Sequence, residues 1–295
     1  MSSRDLTIGM IFLSQTLIGI LGNFSLLYHY IVLYFTGCRL RSTDLILRHL
    51  TVANSMVILS RGIPGTMVAF GWKGFLNDSG CKLVFYVHRV GRGVSISSTC
   101  LLSIFQAITI SPRNSRWAEL KMKAPKSMEG SIFLCWILHM LVNITVPMNI
   151  ISKRSNKNIT KKRFVYCSAV FFGKNTGSLH AALLLFPDIV SLGLILWSSG
   201  SMVRHKQRVQ HIHRNKIYPR SSPETRATQT IVVLVSTFVS FYTLSSIFQV
   251  FASVFYDHTS WWLVNTGALT AACFPIVSPF ILMSRDSSVF RLCFA

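Results

Sequence analysis

Apolar residues in this chain are gathered into seven long runs, separated by short polar segments that are mostly basic. The runs cover about 6–35, 44–70, 82–110, 131–151, 179–203, 227–255 and 261–284. An α-helix rises about 1.5 Å per residue, so about 20 apolar residues cross a bilayer's hydrocarbon core. Each run is long enough. The pattern predicts an all-α membrane protein, a single seven-helix transmembrane domain over residues 1–295. No internal repeat or separate soluble domain is visible. No cleavage-site pattern precedes the first run, which is too long for a signal-peptide core and reads as a retained anchor.

The interruptions within the runs carry the detail. Gly22 and Asn23 fall inside the first, where glycine permits close helix contact and asparagine can bond a neighbouring helix or its own backbone. Asp44 is placed to cap the second, and Arg61, Gly62 and Pro64 predict a kink near its far end. The third run opens at Cys81, carries Arg89 and Arg92, and stops at Ser111-Pro112, because proline disfavours helix at the residue before it. Residues 113–129 read as a polar loop. Pro187 and Asp188 interrupt the fifth run, and Pro275 and Pro279 the seventh.

Composition agrees with a membrane protein. Charged residues make up 13% of the chain, against about 25% in soluble domains, and mean hydropathy is +0.46. The net charge of +21 raises nucleic acid as a partner. The basic residues, however, fall mostly between apolar runs, which fits membrane topology and contact with anionic lipid better. More of them lie in 36–43, 111–130, 204–228 and the tail than in the alternate segments, so the N-terminus is read as outside and the C-terminus as inside. The sequon Asn158-Ile159-Thr160 then falls outside, as a glycosylation site must. Asn77-Asp78-Ser79 is a second sequon close to the membrane; Asn143-Ile144-Thr145 is a third, discounted because it lies within a span. Cys81 and Cys167 are the only cysteines placed outside, which favours a bridge between them over two unrelated thiols.

Candidate chemistry is confined to a few charges. Arg89 and Arg92 are three residues apart and share a helix face. Asp188 is the only carboxylate well inside a run, at similar depth, and is a candidate partner for one of them. The other arginine and Arg61 would then favour anionic or strongly hydrogen-accepting small molecules in a pocket. The competing reading has these arginines bonding backbone carbonyls and water to hold the bundle, and the sequence leans slightly toward it. The sequence carries no phosphate loop, nucleophile elbow or zinc motif, so neither an enzyme nor a cofactor or metal site is expected.

Several segments are long enough to carry a family resemblance. HRVGRGVSISSTCLLSIFQAITISP (88–112), RHKQRVQHIH (204–213), SPETRATQTIVVLVSTFVSFY (222–242) and PIVSPFIL (275–282) resemble vomeronasal type-1 receptors, and STDLILRHLTVAN (42–54) is similar to that family's first inner loop and second helix. The resemblance implies a seven-helix G-protein-coupled receptor for pheromones at the plasma membrane, coupled to an inhibitory-class G protein. It also implies the Cys81–Cys167 bridge and a glycan at Asn158. Arg113, Arg204, Lys206, Arg208 and Arg220 become candidates for the G-protein face. Bitter-taste receptors are the nearest alternative family. After Val203 the chain passes straight to Arg204, where relatives have a few more apolar residues; a fifth helix one turn short would make a poorly signalling member.

Overall fold

The computed structural model describes residues 3–37, 42–72, 75–110, 118–152, 161–163, 167–170, 186–204, 223–254 and 261–285. Seven helices carry most of these: α1 (Ser3–Phe35), α2 (Ser42–Ala69), α3 (Asp78–Ile110), α4 (Ala118–Val142), α5 (Phe186–Arg204), α6 (Pro223–Val254) and α7 (Trp261–Arg285). Their ends have local causes. Asp44 lies in the first turn of α2, where a carboxylate complements the helix dipole. α2 closes on Gly71, whose φ of 90° is open to glycine at little cost. The Gly71 N–H donates to Val68 O and the Trp72 N–H to Met67 O, so two terminal carbonyls are satisfied. α3 begins earlier than the apolar pattern indicated. Asn77 caps it, its Oδ1 accepting the Gly80 N–H at 2.8 Å.

The fourth helix also differs from the sequence reading. The polar stretch from Ala118 is helical rather than a loop. It is rich in Ala, Glu, Leu, Lys and Met, which favour helix whether or not they are buried. At its other end the chain tightens into a 3-10 helix, Asn143–Asn149, containing Pro147. Proline lacks the N–H that would continue the α-helical ladder.

Among the described residues, five helical segments are long and apolar enough to cross a membrane: Leu6–Phe35, Ser127–Met148, Phe186–Arg204, Gln229–Phe248 and Asn265–Met283. α2 and α3 fall short of that measure and are the inner helices. α2 packs against α1 and α3, and α3 also meets α4 and α6. One buried apolar cluster runs through the bundle, with Leu26, Leu50, Leu102, Ile132, Ile195, Leu234 and Phe274 each from a different helix. The outside is apolar as well: Leu21, Tyr28, Phe133 and Ile189 are all well exposed. So much apolar exterior suits lipid, not water.

At one end lies a small feature the sequence reading did not anticipate, a three-stranded sheet in the order β1-β3-β2. Its strands are β1 (Ile150–Ser152), β2 (Lys161–Arg163) and β3 (Cys167–Val170), all antiparallel to their neighbours. Cys167 is bonded to Cys81 at the start of α3, with 6.0 Å between Cα atoms. The expected bridge is therefore present, and both cysteines are fully buried. It fastens the sheet to the end of α3, where β1 also packs. Asn158 lies outside the described residues.

Candidate functional site

Polar side chains inside the bundle are organised into joints between helices. Asn54 on α2 is the hub of one. Its Nδ2 donates to Ser278 Oγ on α7 at 2.9 Å, and its Oδ1 accepts from Ser95 Oγ on α3 at 2.8 Å. Asn23 on α1 makes a second joint, donating to the carbonyls of Gly19 at 2.8 Å and Pro275 at 2.9 Å. The neighbouring Gly22 lets α7 come close, since a Cβ there would stand 3.0 Å from Pro279 Cγ. A third joint ties α3 to α4 through Ser97 and His139, 2.8 Å apart. Gly93 makes room for that imidazole; a Cβ at Gly93 would run into the His139 ring.

Between α2, α3, α6 and α7 lies a small cavity of about 40 Å³. Its polar wall is His88, Arg92, Ser95, Tyr242 and Ser245; its apolar wall includes Val57, Phe238 and Phe274. Arg92 lies with Cζ 4.8 Å from the centre of the Tyr242 ring, a cation–π contact. Its Nε is buried without a hydrogen-bond partner. Tyr242 stacks on Phe238 at 5.5 Å and 17°, and Phe238 meets Phe274 edge-on at 4.7 Å. The Tyr242 hydroxyl donates to Asp188 Oδ2 at 3.0 Å.

The arginines singled out in the sequence therefore part company. Arg92 enters the cavity. Arg89 donates Nε to Asn143 Oδ1 at 3.4 Å, on the side of α3 facing the 3-10 helix. Arg61 lines a separate small cavity between α1, α2 and α7 with Gln15 and Thr16. Asp188 is buried, and its hydrogen bond comes from Tyr242 rather than from either arginine. It acts on Arg89 only through space. His88 lies within electrostatic range of Arg61, Arg89 and Arg92, so the cavity and its surroundings are strongly cationic.

Tyr242 and His88 were not picked out from the sequence. The available signal for Tyr242 was a polar tip within the aromatic run Phe238, Phe241, Tyr242. Asn143, discounted as a glycan acceptor, is buried, and its amide donates to His139 O at 2.8 Å. Of the candidate partner-facing residues, Arg204 is exposed at the end of α5, with Nε donating to Gly200 O at 3.3 Å. Arg113, Lys206, Arg208 and Arg220 lie outside the described residues, as does the junction after Arg204. Among the described residues no cluster of His, Cys, Asp and Glu could hold a metal ion.

Helices of membrane-crossing length, an apolar exterior and a small cavity between the helices define a helical membrane protein. Comparison with known proteins names the kind. The family model for the vomeronasal organ pheromone receptor family matches residues 6–295. The chain is 58% identical over 300 residues to human vomeronasal type-1 receptor 4, covering 100% of this chain and 99% of that protein. It is 60% identical over 286 residues to human vomeronasal type-1 receptor 2, covering 95% of this chain and 72% of that one. Against mouse vomeronasal type-1 receptor 45 the identity is 32% over 289 residues, covering 95% and 89%. The chain belongs to the vomeronasal type-1 receptor family.

Proposed function

We propose that this chain is a seven-span G-protein-coupled receptor for pheromones or related small chemosignals. It would sit in the plasma membrane with its N-terminus outside and C-terminus inside, as one transmembrane domain, and activate an inhibitory-class G protein. The carrying observation is a cavity between the helices with a cationic, aromatic lining in a member of a pheromone-receptor family. Arg92 is the residue of the proposed ligand set that reaches this cavity; Arg89, Arg61 and Asp188 set its field from outside. The favoured ligand is a mostly apolar molecule with one anionic or strong acceptor group. Arg113, Arg204, Lys206, Arg208 and Arg220 are proposed to face the G protein and anionic lipid.

The test uses the epitope-tagged receptor in cultured cells, with G-protein dissociation read separately for inhibitory and stimulatory α subunits. Cyclohexylacetate, 2-cyclohexylethanol and 2-cyclohexylethylamine serve as probes with one ring and three head groups. The reading expects antibody access to an N-terminal tag on intact cells and response through the inhibitory class. It expects the acetate to be most effective and the amine least, and Arg92→Ala to abolish the response while reaching the surface. A surface-delivered Arg92→Ala receptor with an unchanged response would overturn the ligand site. Release of the stimulatory class alone would overturn the coupling.

A further inference from the structure

The cavity is too small for the molecule proposed to occupy it. A volume of about 40 Å³ is room for a few water molecules, at about 10–15 Å³ each. Pockets that hold organic ligands are about 300–1,000 Å³. A ligand must therefore move part of the lining, and the structure identifies which part. The Arg92 guanidinium and the Tyr242 ring face each other across the cavity's polar side. Tyr242 is held from behind by its hydrogen bond to Asp188 and from the flank by Phe238. This places one side chain from α3, one from α6 and one from α5 in a continuous line, and Phe238 extends it to Phe274 on α7.

Two features make this line breakable. Arg92 meets Tyr242 as a neutral partner, through its ring and its hydroxyl, and Arg92 Nε has no acceptor. An anionic oxygen offers charge-assisted hydrogen bonds, roughly twice as strong as neutral ones, and would outcompete the ring. Asp188, the carboxylate within reach, is already committed to the tyrosine hydroxyl. Arg89 has Asn143 as its acceptor, so it lacks this vacancy.

We propose that Arg92, Tyr242 and Asp188 form a latch that holds α3, α6 and α5 together in the unliganded receptor, and that a ligand opens it by taking the Arg92 guanidinium from the Tyr242 ring. The inference rests on the ligand-site reading above. Tyr242 is then a positioning residue that sets how hard the site is to open. It also selects for ligands whose acceptor group can replace an aromatic face.

Two substitutions separate the parts. Tyr242→Phe keeps the ring and removes the hydroxyl that holds Asp188. Tyr242→Leu removes both contacts. Hydrogen exchange of α5 and α6 in the purified receptor, without ligand or G protein, reads the latch directly. Exchange in the segments around Asp188 and Tyr242 should rise about threefold or more in Tyr242→Phe and further in Tyr242→Leu. Arg92→Ala should speed α6 but add little to Tyr242→Leu, because both remove the same contact. In cells, basal G-protein release should rise several-fold in Tyr242→Leu, and the half-maximal concentration of cyclohexylacetate should fall, because opening no longer opposes binding. Unchanged exchange in the near-isosteric Tyr242→Phe and in Arg92→Ala would overturn the latch, whatever the cell assay shows. Altered exchange with no response to any probe would keep the latch and sink the ligand reading instead.

Discussion

Replacing Asn23 with alanine should loosen the joint between α1 and α7, and a second substitution should reveal why. Pro279 has no N–H, so the Pro275 carbonyl four residues earlier loses its normal helical donor. Within a membrane no bulk water replaces it. Asn23 Nδ2 supplies the missing bond from α1 at 2.9 Å, at a site with no solvent exposure. An unsatisfied buried carbonyl costs about 1–3 kcal/mol, while side-chain hydrogen bonds between membrane helices average about 0.6 and reach about 1.7 kcal/mol. Asn23→Ala also removes an Oδ1 that is buried without a partner, which offsets part of the loss. The net expectation is about 1 kcal/mol, or a midpoint lower by roughly 2–4 °C for a chain of this size. Pro279→Ala returns an N–H to position 279, within reach of the Pro275 carbonyl, and makes Asn23 redundant. In that background Asn23→Ala should cost less than half as much. Thermal denaturation of the four purified proteins in one detergent, at one scan rate, completes the cycle. Effects of Pro279→Ala on packing against Gly22 cancel where both backgrounds share them. Equal losses in the two backgrounds would refute the carbonyl-rescue argument.

Three further outcomes are expected. Gly93→Ala should destabilise by about 1–3 kcal/mol through overpacking, because the new methyl meets the buried His139 ring; the same change in a His139→Ala background should be nearly silent in the same denaturation assay. On glycosidase treatment, the gel mobility shift should vanish in Asn158→Gln and persist in Asn143→Gln, since the Asn143 amide is buried and bonded to His139 O; a shift lost in Asn143→Gln would contradict that placement. The disulfide closes a loop with a sequence separation of 86, worth on the order of 4–5 kcal/mol by chain entropy. Surface delivery should therefore fall sharply in Cys81→Ser and no further in the Cys81→Ser/Cys167→Ser double variant, whereas additive losses would mean that the thiols act separately.

Much of the helix order was readable because lipid imposes a strong pattern: the exteriors of α1, α4 and α5 must be apolar along the stretches that cross the membrane. Ends were less readable. Asn77 could be recognised as a sequon, but its use as an α3 cap depends on backbone geometry that composition does not encode. Residues 118–129 looked like a loop because polarity was weighed above helix propensity. The three short strands depend on pairing partners far apart in sequence, such as Ser152 with Cys167. In the site, the arginines were conspicuous as charges in apolar runs, but their destinations were not. Which arginine faces Tyr242 and which faces Asn143 is decided by rotation about the α3 axis and by neighbours on the 3-10 helix and α6. Asp188 was matched to an arginine by depth alone, and the structure inserts a tyrosine hydroxyl between them.

The two helices that fail the apolar-span measure, α2 and α3, are the two from which the interior is built. A helix surrounded by protein has no lipid to satisfy, so it is free to carry Asn54, His88, Arg92, Ser95 and Ser97, provided each finds a partner on a neighbour. Most do: Asn54 with Ser95 and Ser278, and Ser97 with His139. Such matched groups fix the helices relative to one another and leave little to offer a ligand. Arg92 is different. Its Nε is buried, unmatched and set against a ring that a better acceptor can displace. An interior held by satisfied joints on one side and by one replaceable contact on the other has a preferred place to open. On the proposed latch, that place is the cavity between α3 and α6, where binding at one point would move one helix rather than loosen the whole bundle.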